Sequence, residues 1–156
     1  MSAARFVRPR SSAKHGQRRL PARALEARRI LFQCPASFTP TKEHVEDMLR
    51  FFASIDRDKE VQFLWEPRGS DWAEELVRKL CRELDLVHVV DPFSAKTQTP
   101  ESCYYRLHGR AGDWRYIYTD DELEELASML PKDKFSYVLF NNVRMREDAT
   151  RFQKLV

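Results

Sequence analysis

The stretch Cys103-Tyr-Tyr-Arg-Leu-His-Gly-Arg110 begins as an apolar segment suited to burial and ends in two arginines and a histidine. Side chains two apart in a strand share a face. Tyr104, Arg106 and His108 therefore lie on one side, and Cys103, Tyr105 and Leu107 on the other. The second set suits contact with covering helices. The first must point into a barrel lumen or a cleft.

Four further apolar runs have the same design: RILFQCP (29–35), VQFLWEP (61–67), LVHVVDP (86–92) and FSYVLFNN (135–142). Each reads as a buried strand and turns polar at its C-terminal end. Between them lie amphipathic segments. Val45, Met48, Leu49 and Phe52 have helical spacing after Thr39-Pro40, read as N-cap and first helical residue. Leu76, Val77, Leu80, Cys81 and Leu84 form a second stripe, opened by Ser70 or Asp71, with Glu74 completing a capping box from Asp71.

Thr119 and Glu122 form a further capping box before Leu123, Leu126, Ala127 and Leu130. A last helix from about Glu147 is expected to bury Ala149, Phe152 and Leu155 or Val156. Arg23 to Arg28 reads as the end of a helix before the first strand, and the stretch from Phe93 to Cys103 as loop. The alternation is βαβα, which gives parallel strands with crossover helices. A doubly wound sheet and part of a (β/α)8 barrel both satisfy it.

Charge is unevenly placed. Residues 1–30 hold nine Lys or Arg and one Glu, leaving 18 basic and 23 acidic residues in the remainder. The basic balance therefore belongs to the leader, and the acidic body gives weak support to nucleic acid as a partner. Residues 1–21 read as a basic, disordered or non-native leader, and 22–156 as the domain. Three scattered cysteines without metal spacing indicate neither a disulfide framework nor a zinc site, and fit a reducing cytoplasm. No apolar run is long enough to span a bilayer, so no membrane partner is expected.

Polar groups gather at the strand C-terminal ends: Gln33, then Glu66 and Arg68, then Asp91, then Arg106, His108 and Arg110, then Asn141 and Asn142. In parallel α/β proteins that edge is where ligands bind. By parity Gln62, Leu64 and Glu66 face inward with Arg106, while Val61, Phe63 and Trp65 face outward. A buried Arg106 needs a carboxylate, and Glu66 and Asp91 are in reach if consecutive strands are neighbours.

The sequences FQCPASFTPT, WEPRGSDW, VVDPF, YYRLHGR, YIYTDDELEELA and FNN resemble the YecE-like family of uncharacterised TIM barrels, domain-of-unknown-function family seventy-two. The resemblance covers about Ala22 to the C-terminus. It implies a (β/α)8 barrel of which these five strands are the fourth to eighth, so that the chain is a partial TIM barrel. The family's opening strands have no counterpart here, so a truncated or frame-shifted product is expected. The resemblance carries no activity with it.

Two function classes follow from the residues. In the first, an enzyme with hydrolase-type acid/base chemistry acts on an anionic, phosphate-bearing small molecule or nucleic-acid fragment. Arg68, Arg106 and Arg110 clamp the anion, His108 is the general acid or base, and Glu66 or Asp91 orients it or is the second such group. A variant has Glu66, Asp91 and His108 hold a divalent metal, although their spacing matches no ligand motif. In the second, the same cluster only binds an anionic ligand or nucleic-acid fragment, with Trp72, Trp114, Tyr116 and Tyr118 as stacking surfaces. Cys34 is expected to be a buried thiol. The residues name no cofactor, and they leave catalysis and binding both open.

Overall fold

The computed structural model describes residues 18–19 and 26–156. The remainder of the leader, and Arg23 of the helix expected before the first strand, lie outside the described residues. Glu26 to Arg28 are not helical, and Glu26 has a φ of +51°.

Five strands form one parallel sheet in sequence order: β1 (Arg29–Gln33), β2 (Gln62–Glu66), β3 (Leu86–Val90), β4 (Cys103–Leu107) and β5 (Ser136–Phe140). The sheet curls into a half-barrel with helices on its convex side, so the expected α/β partial barrel is observed. Arg18–Arg19 also pair in parallel with Ile55–Asp56. Helices α1 (Lys42–Ala53), α2 (Glu74–Leu84), α3 (Asp120–Ser128) and α4 (Met145–Phe152) fill the crossovers and the C-terminal end.

Strand alternation divides the interior as the sequence predicts. Phe63 and Trp65 of β2 join Met48, Val77 and Leu80 in a core between β1–β2 and helices α1–α2. Tyr105 and Leu107 of β4 join Leu123, Leu126 and Phe152 in a second core under α3 and α4. Leu31, Leu64, Val87, Val89 and Tyr104 form a third, smaller cluster on the concave face. There the Arg29 guanidinium lies 4.0 Å from the centre of the Tyr137 ring, so side chains of the two outermost strands meet across the concavity.

Three helix starts or faces differ from expectation. Helix α1 is capped by Thr41, whose hydroxyl accepts from the His44 amide at 3.1 Å, and not by Thr39. Helix α2 begins at Glu74 behind Ala73, with no side-chain cap; Asp71 stands too far upstream to form the expected box. Along α4 Phe152 is buried as expected, but its buried companion is Asp148, while Ala149, Leu155 and Val156 are exposed. The Asp148 carboxylate faces the core because Asn142 Nδ2 (2.6 Å) and Arg151 Nη1 (2.9 Å) satisfy it there. The Thr119–Glu122 capping box is present as read.

The crossover from β3 to β4 has no helix, and the loop itself covers the strand. His88, on the convex face of β3, accepts from the Gln98 amide through Nδ1 at 3.0 Å, and its own amide donates to Thr99 Oγ1 at 3.0 Å. Burial lowers the His88 pKa to about 4, against the pull of Glu66 and Glu74. Above about pH 6.5 the imidazole is neutral both folded and unfolded, and its contribution to stability is fully present. As pH falls from there to about 4, only the unfolded chain takes the proton, so stability falls. The shift corresponds to about 3 kcal/mol over that window. Urea unfolding across pH 4–7 should therefore show a steeper acid loss in the wild type than in His88→Gln, and equal slopes would exclude this role for His88.

Candidate functional site

Because all five strands are parallel, their C-terminal ends fall on one edge. The register sets Gln33 beside Glu66, and Arg106 one residue short of the end of β4. Glu66 is the centre of the cluster. Its carboxylate is 6% exposed; Oε2 accepts from Arg106 Nη1 and Oε1 accepts from Arg68 Nη2 at 2.6 Å. Arg106 Nη1 also donates to Gln33 Oε1 at 2.9 Å. With the Asn141 amide oxygen turned toward it, Arg106 gives that oxygen two further hydrogen bonds, at 2.8 and 3.1 Å. Arg106 is thus a tie joining β1, β2, β4 and β5, and its donors are committed to protein.

His108 sits beside this tie. Arg68 Nη2 is 2.9 Å from His108 Nε2, and Glu66 Oε1 is 3.5 Å from the same nitrogen. A guanidinium only donates, so Nε2 is the unprotonated nitrogen and the ring proton lies on Nδ1. Burial lowers the His108 pKa below its ordinary value; Arg68 and Arg106 act in the same direction, and Glu66 and Asp91 oppose them. Asp91 holds the His108 backbone, accepting from its amide at 3.4 Å and from the Phe93 amide at 3.0 Å. Burial raises the Asp91 pKa.

A cleft of about 600 Å³ opens next to these groups, between the loops that follow β2 and β3. Arg68, Trp72, His88, Asp91, Lys96 and His108 are on its wall, with Ala73 and Glu74 at the start of α2. The α2 amides receive no side-chain cap at this end. The Arg68 Nε is buried and finds no partner among the described residues.

The structure brings together Gln33, Glu66, Arg68, Asp91, Arg106, His108 and Asn141, and sets the other expected residues apart. Arg110 is turned away by a short 3-10 turn, Arg110–Gly112. Its guanidinium lies over the Phe93 ring at 3.8 Å and is paired with Glu122 (2.8 Å) and Glu125 (3.2 Å). Tyr116 donates its hydroxyl to the same Glu122 at 2.6 Å. Burial pushes the Glu122 carboxyl up, but hydrogen bonds from Tyr116, the Thr119 amide and Arg110 outweigh it and hold the pKa at about 2.

Asn142 is fully buried and donates to the Tyr116 carbonyl and to Asp148. Trp72, although on the cleft wall, donates its indole N–H to the Phe38 carbonyl at 3.1 Å and packs edge-on against Trp65. Tyr118 is buried under Gly109, whereas Trp114 is exposed. The Cys34 thiol is buried and takes a hydrogen bond from Trp65 Nε1 at 3.3 Å; burial raises its pKa, as expected of an inert thiol. Among the described residues no group of three or more His, Cys, Asp or Glu side chains is placed to hold a metal ion. The Glu66 carboxylate in particular is taken by two arginines, which removes the metal variant with Glu66, Asp91 and His108. His88, Lys96 and the start of α2 are cleft groups that the sequence reading does not name. Lys96 gave no signal, since it lies in a loop without periodicity.

The family described as "Protein of unknown function DUF72" matches residues 13–156. No curated protein matches the chain. Among solved structures, a DUF72 family protein from Enterococcus faecalis superposes with a TM-score of 0.67 at 24% identity, over 86% of this chain and 64% of its own. One from Thermotoga maritima superposes with a TM-score of 0.65 at 22% identity, over 86% of this chain and 60% of its own. The chain thus spans less than two thirds of the length of these structures, and at such identities the likeness shows the fold. Among the described residues no helix is long and apolar enough to cross a membrane. With the family match extending over nearly its whole length and the fold in agreement, the chain belongs to the DUF72 family.

Proposed function

We propose that the C-terminal edge of the half-barrel binds a small anionic ligand in the cleft between the loops after β2 and β3, through Arg68. The observation that carries this reading is the state of Arg68. It is the one arginine of the expected clamp that reaches the cleft wall, with a buried Nε still lacking a partner among the described residues. Lys96 and the uncapped start of α2 support it, since a cation and free helix N-terminal amides both favour an anion there. Arg106 and Arg110 are left out of the clamp, because neither is on the cleft wall and each is already paired with protein carboxylates.

Sulfate titrated into the full chain and followed by calorimetry tests the reading. Arg68→Ala is expected to weaken sulfate binding by about tenfold or more, as befits a charge-assisted hydrogen bond of about 1.5–3 kcal/mol. Arg110→Ala is expected to leave the affinity within twofold. Equal losses in both variants would place the anion elsewhere. The neighbouring neutral His108 makes acid–base chemistry available to the same site. If that chemistry is used, His108→Ala abolishes turnover of a substrate and keeps its affinity.

A further inference from the structure

Arg68 Nη2 is wedged between two acceptors, Glu66 Oε1 at 2.6 Å and His108 Nε2 at 2.9 Å, which are themselves 3.5 Å apart. Without Arg68, Glu66 Oε1 is a buried carboxylate oxygen facing an unprotonated imidazole nitrogen, two acceptors with nothing between them. A buried acceptor left in that state costs about 1–3 kcal/mol, and more when charged. One group in reach repairs it. A proton on Nε2 turns His108 into a donor and a cation, replacing the hydrogen bond and the charge that Arg68 supplied.

Arg68 has reason to leave. It is a third exposed, it opens onto the cleft, and its Nε goes unsatisfied in the present position. An anion in the cleft offers the guanidinium two acceptors at once. Arg106 does not follow, since Gln33 and Asn141 hold it from β1 and β5.

We propose that Arg68 and His108 alternate as the partner of Glu66 Oε1: an anion in the cleft draws Arg68 away, and His108 takes a proton from solvent in its place. This rests on the anion-binding reading above and adds what the binding does. The charged groups facing His108 are Glu66 of β2, Arg68 of the following loop, Asp91 after β3 and Arg106 of its own strand. Loss of Arg68 from this set leaves two carboxylates against one arginine, which favours the imidazolium. The site then admits an anion and a proton together and sets a proton donor beside the bound anion. The ligand class that suits it is an anion whose departing group needs a proton.

Two measurements on the full chain test the exchange. In the first, His108 is titrated by NMR, its signal assigned by its loss in His108→Gln. The midpoint is expected below the ordinary histidine value in the wild type and above it in Arg68→Ala. A midpoint in Arg68→Ala that stays at or below the wild-type one overturns the exchange. In the second, sulfate binding is measured near pH 7 in two buffers of different protonation enthalpy. Sulfate does not titrate in this range, so any proton taken up belongs to the protein. Uptake approaching one proton per sulfate, absent in His108→Gln, is the expected result. Sulfate bound without proton uptake overturns the exchange and leaves the anion-binding reading standing. No sulfate binding overturns that reading, and the anion trigger with it.

Discussion

Gly109→Ala is expected to cost about 3 kcal/mol or more, enough to unfold much of a marginally stable chain. Gly109 closes the strand that carries Arg106 and His108, with φ +85° and ψ 162°, a region that residues with a Cβ essentially do not enter. The side chain has no room either. A Cβ there would stand 1.9 Å from the Asp113 carbonyl oxygen and 2.6 Å from Tyr116 Cβ. That carbonyl cannot move aside freely, since it accepts from the Tyr116 amide at 2.9 Å. The glycine is fixed from its own side too: its amide donates to Tyr118 Oη at 2.9 Å and its carbonyl accepts from the Gly112 amide at 3.1 Å. Backbone strain of about 1–3 kcal/mol adds to a packing clash of similar size.

Gly112→Ala separates the two contributions. It also has a positive φ, +78°, but no atom of the described residues lies within 4 Å of its added Cβ. It is expected to lose only about 1–2 kcal/mol, the strain alone. Urea midpoints of both variants check this, and a Gly109→Ala loss no larger than that of Gly112→Ala would show that the turn yields to the side chain.

The same turn explains which parts of the site were legible in the sequence. Parity along β2 and β4 puts Glu66 and Arg106 on one face, and a buried arginine needs a carboxylate; that leaves Glu66 and Asp91 as candidates, and the curled sheet brings Glu66 to it across β3. Arg110 lies beyond the strand, where parity no longer holds, and Gly109 and the 3-10 turn redirect it onto Glu122. That glutamate is itself placed by the Thr119 capping box, so the feature that marks the helix start in the sequence also captures a residue expected to face the ligand. The error in α4 has a related origin. Periodicity ranks Ala149 above Asp148 for burial, but Asn142 just before the helix and Arg151 one turn further along it satisfy the carboxylate. Hydrophobic pattern reports apolar burial, and it is silent where a polar network is buried instead. At the start of α2, Asp71 and Glu74 have capping-box spacing, but the chain at Trp72 is held in another direction by the Phe38 carbonyl.

Replacing Glu66 should move stability and anion binding in opposite directions. In Glu66→Ala, Arg106 keeps Gln33 and Asn141 but loses its charged partner among the described residues, and Arg68 loses the carboxylate that holds it against the strands. Removing one member of a buried ion pair costs about 3–5 kcal/mol. Arg68 is a third exposed and contributes little of that, so the lower end is expected. Among the described residues the freed Arg68 keeps only His108 as an acceptor, and sulfate should bind the variant more tightly than the wild type. A double replacement, Glu66→Leu with Arg106→Met, removes the charge and its counter-charge together and should recover most of the lost stability, because an apolar pair fills the same volume without a desolvation cost. Unfolding curves and sulfate titrations of the single and double variants are the measurements. If Glu66→Ala loses less than about 1 kcal/mol, the value of an exposed pair, then water reaches the carboxylate and the tie across the strands is not a dry one. If stability falls as expected but sulfate binds no better, the anion does not use the guanidinium that Glu66 restrains.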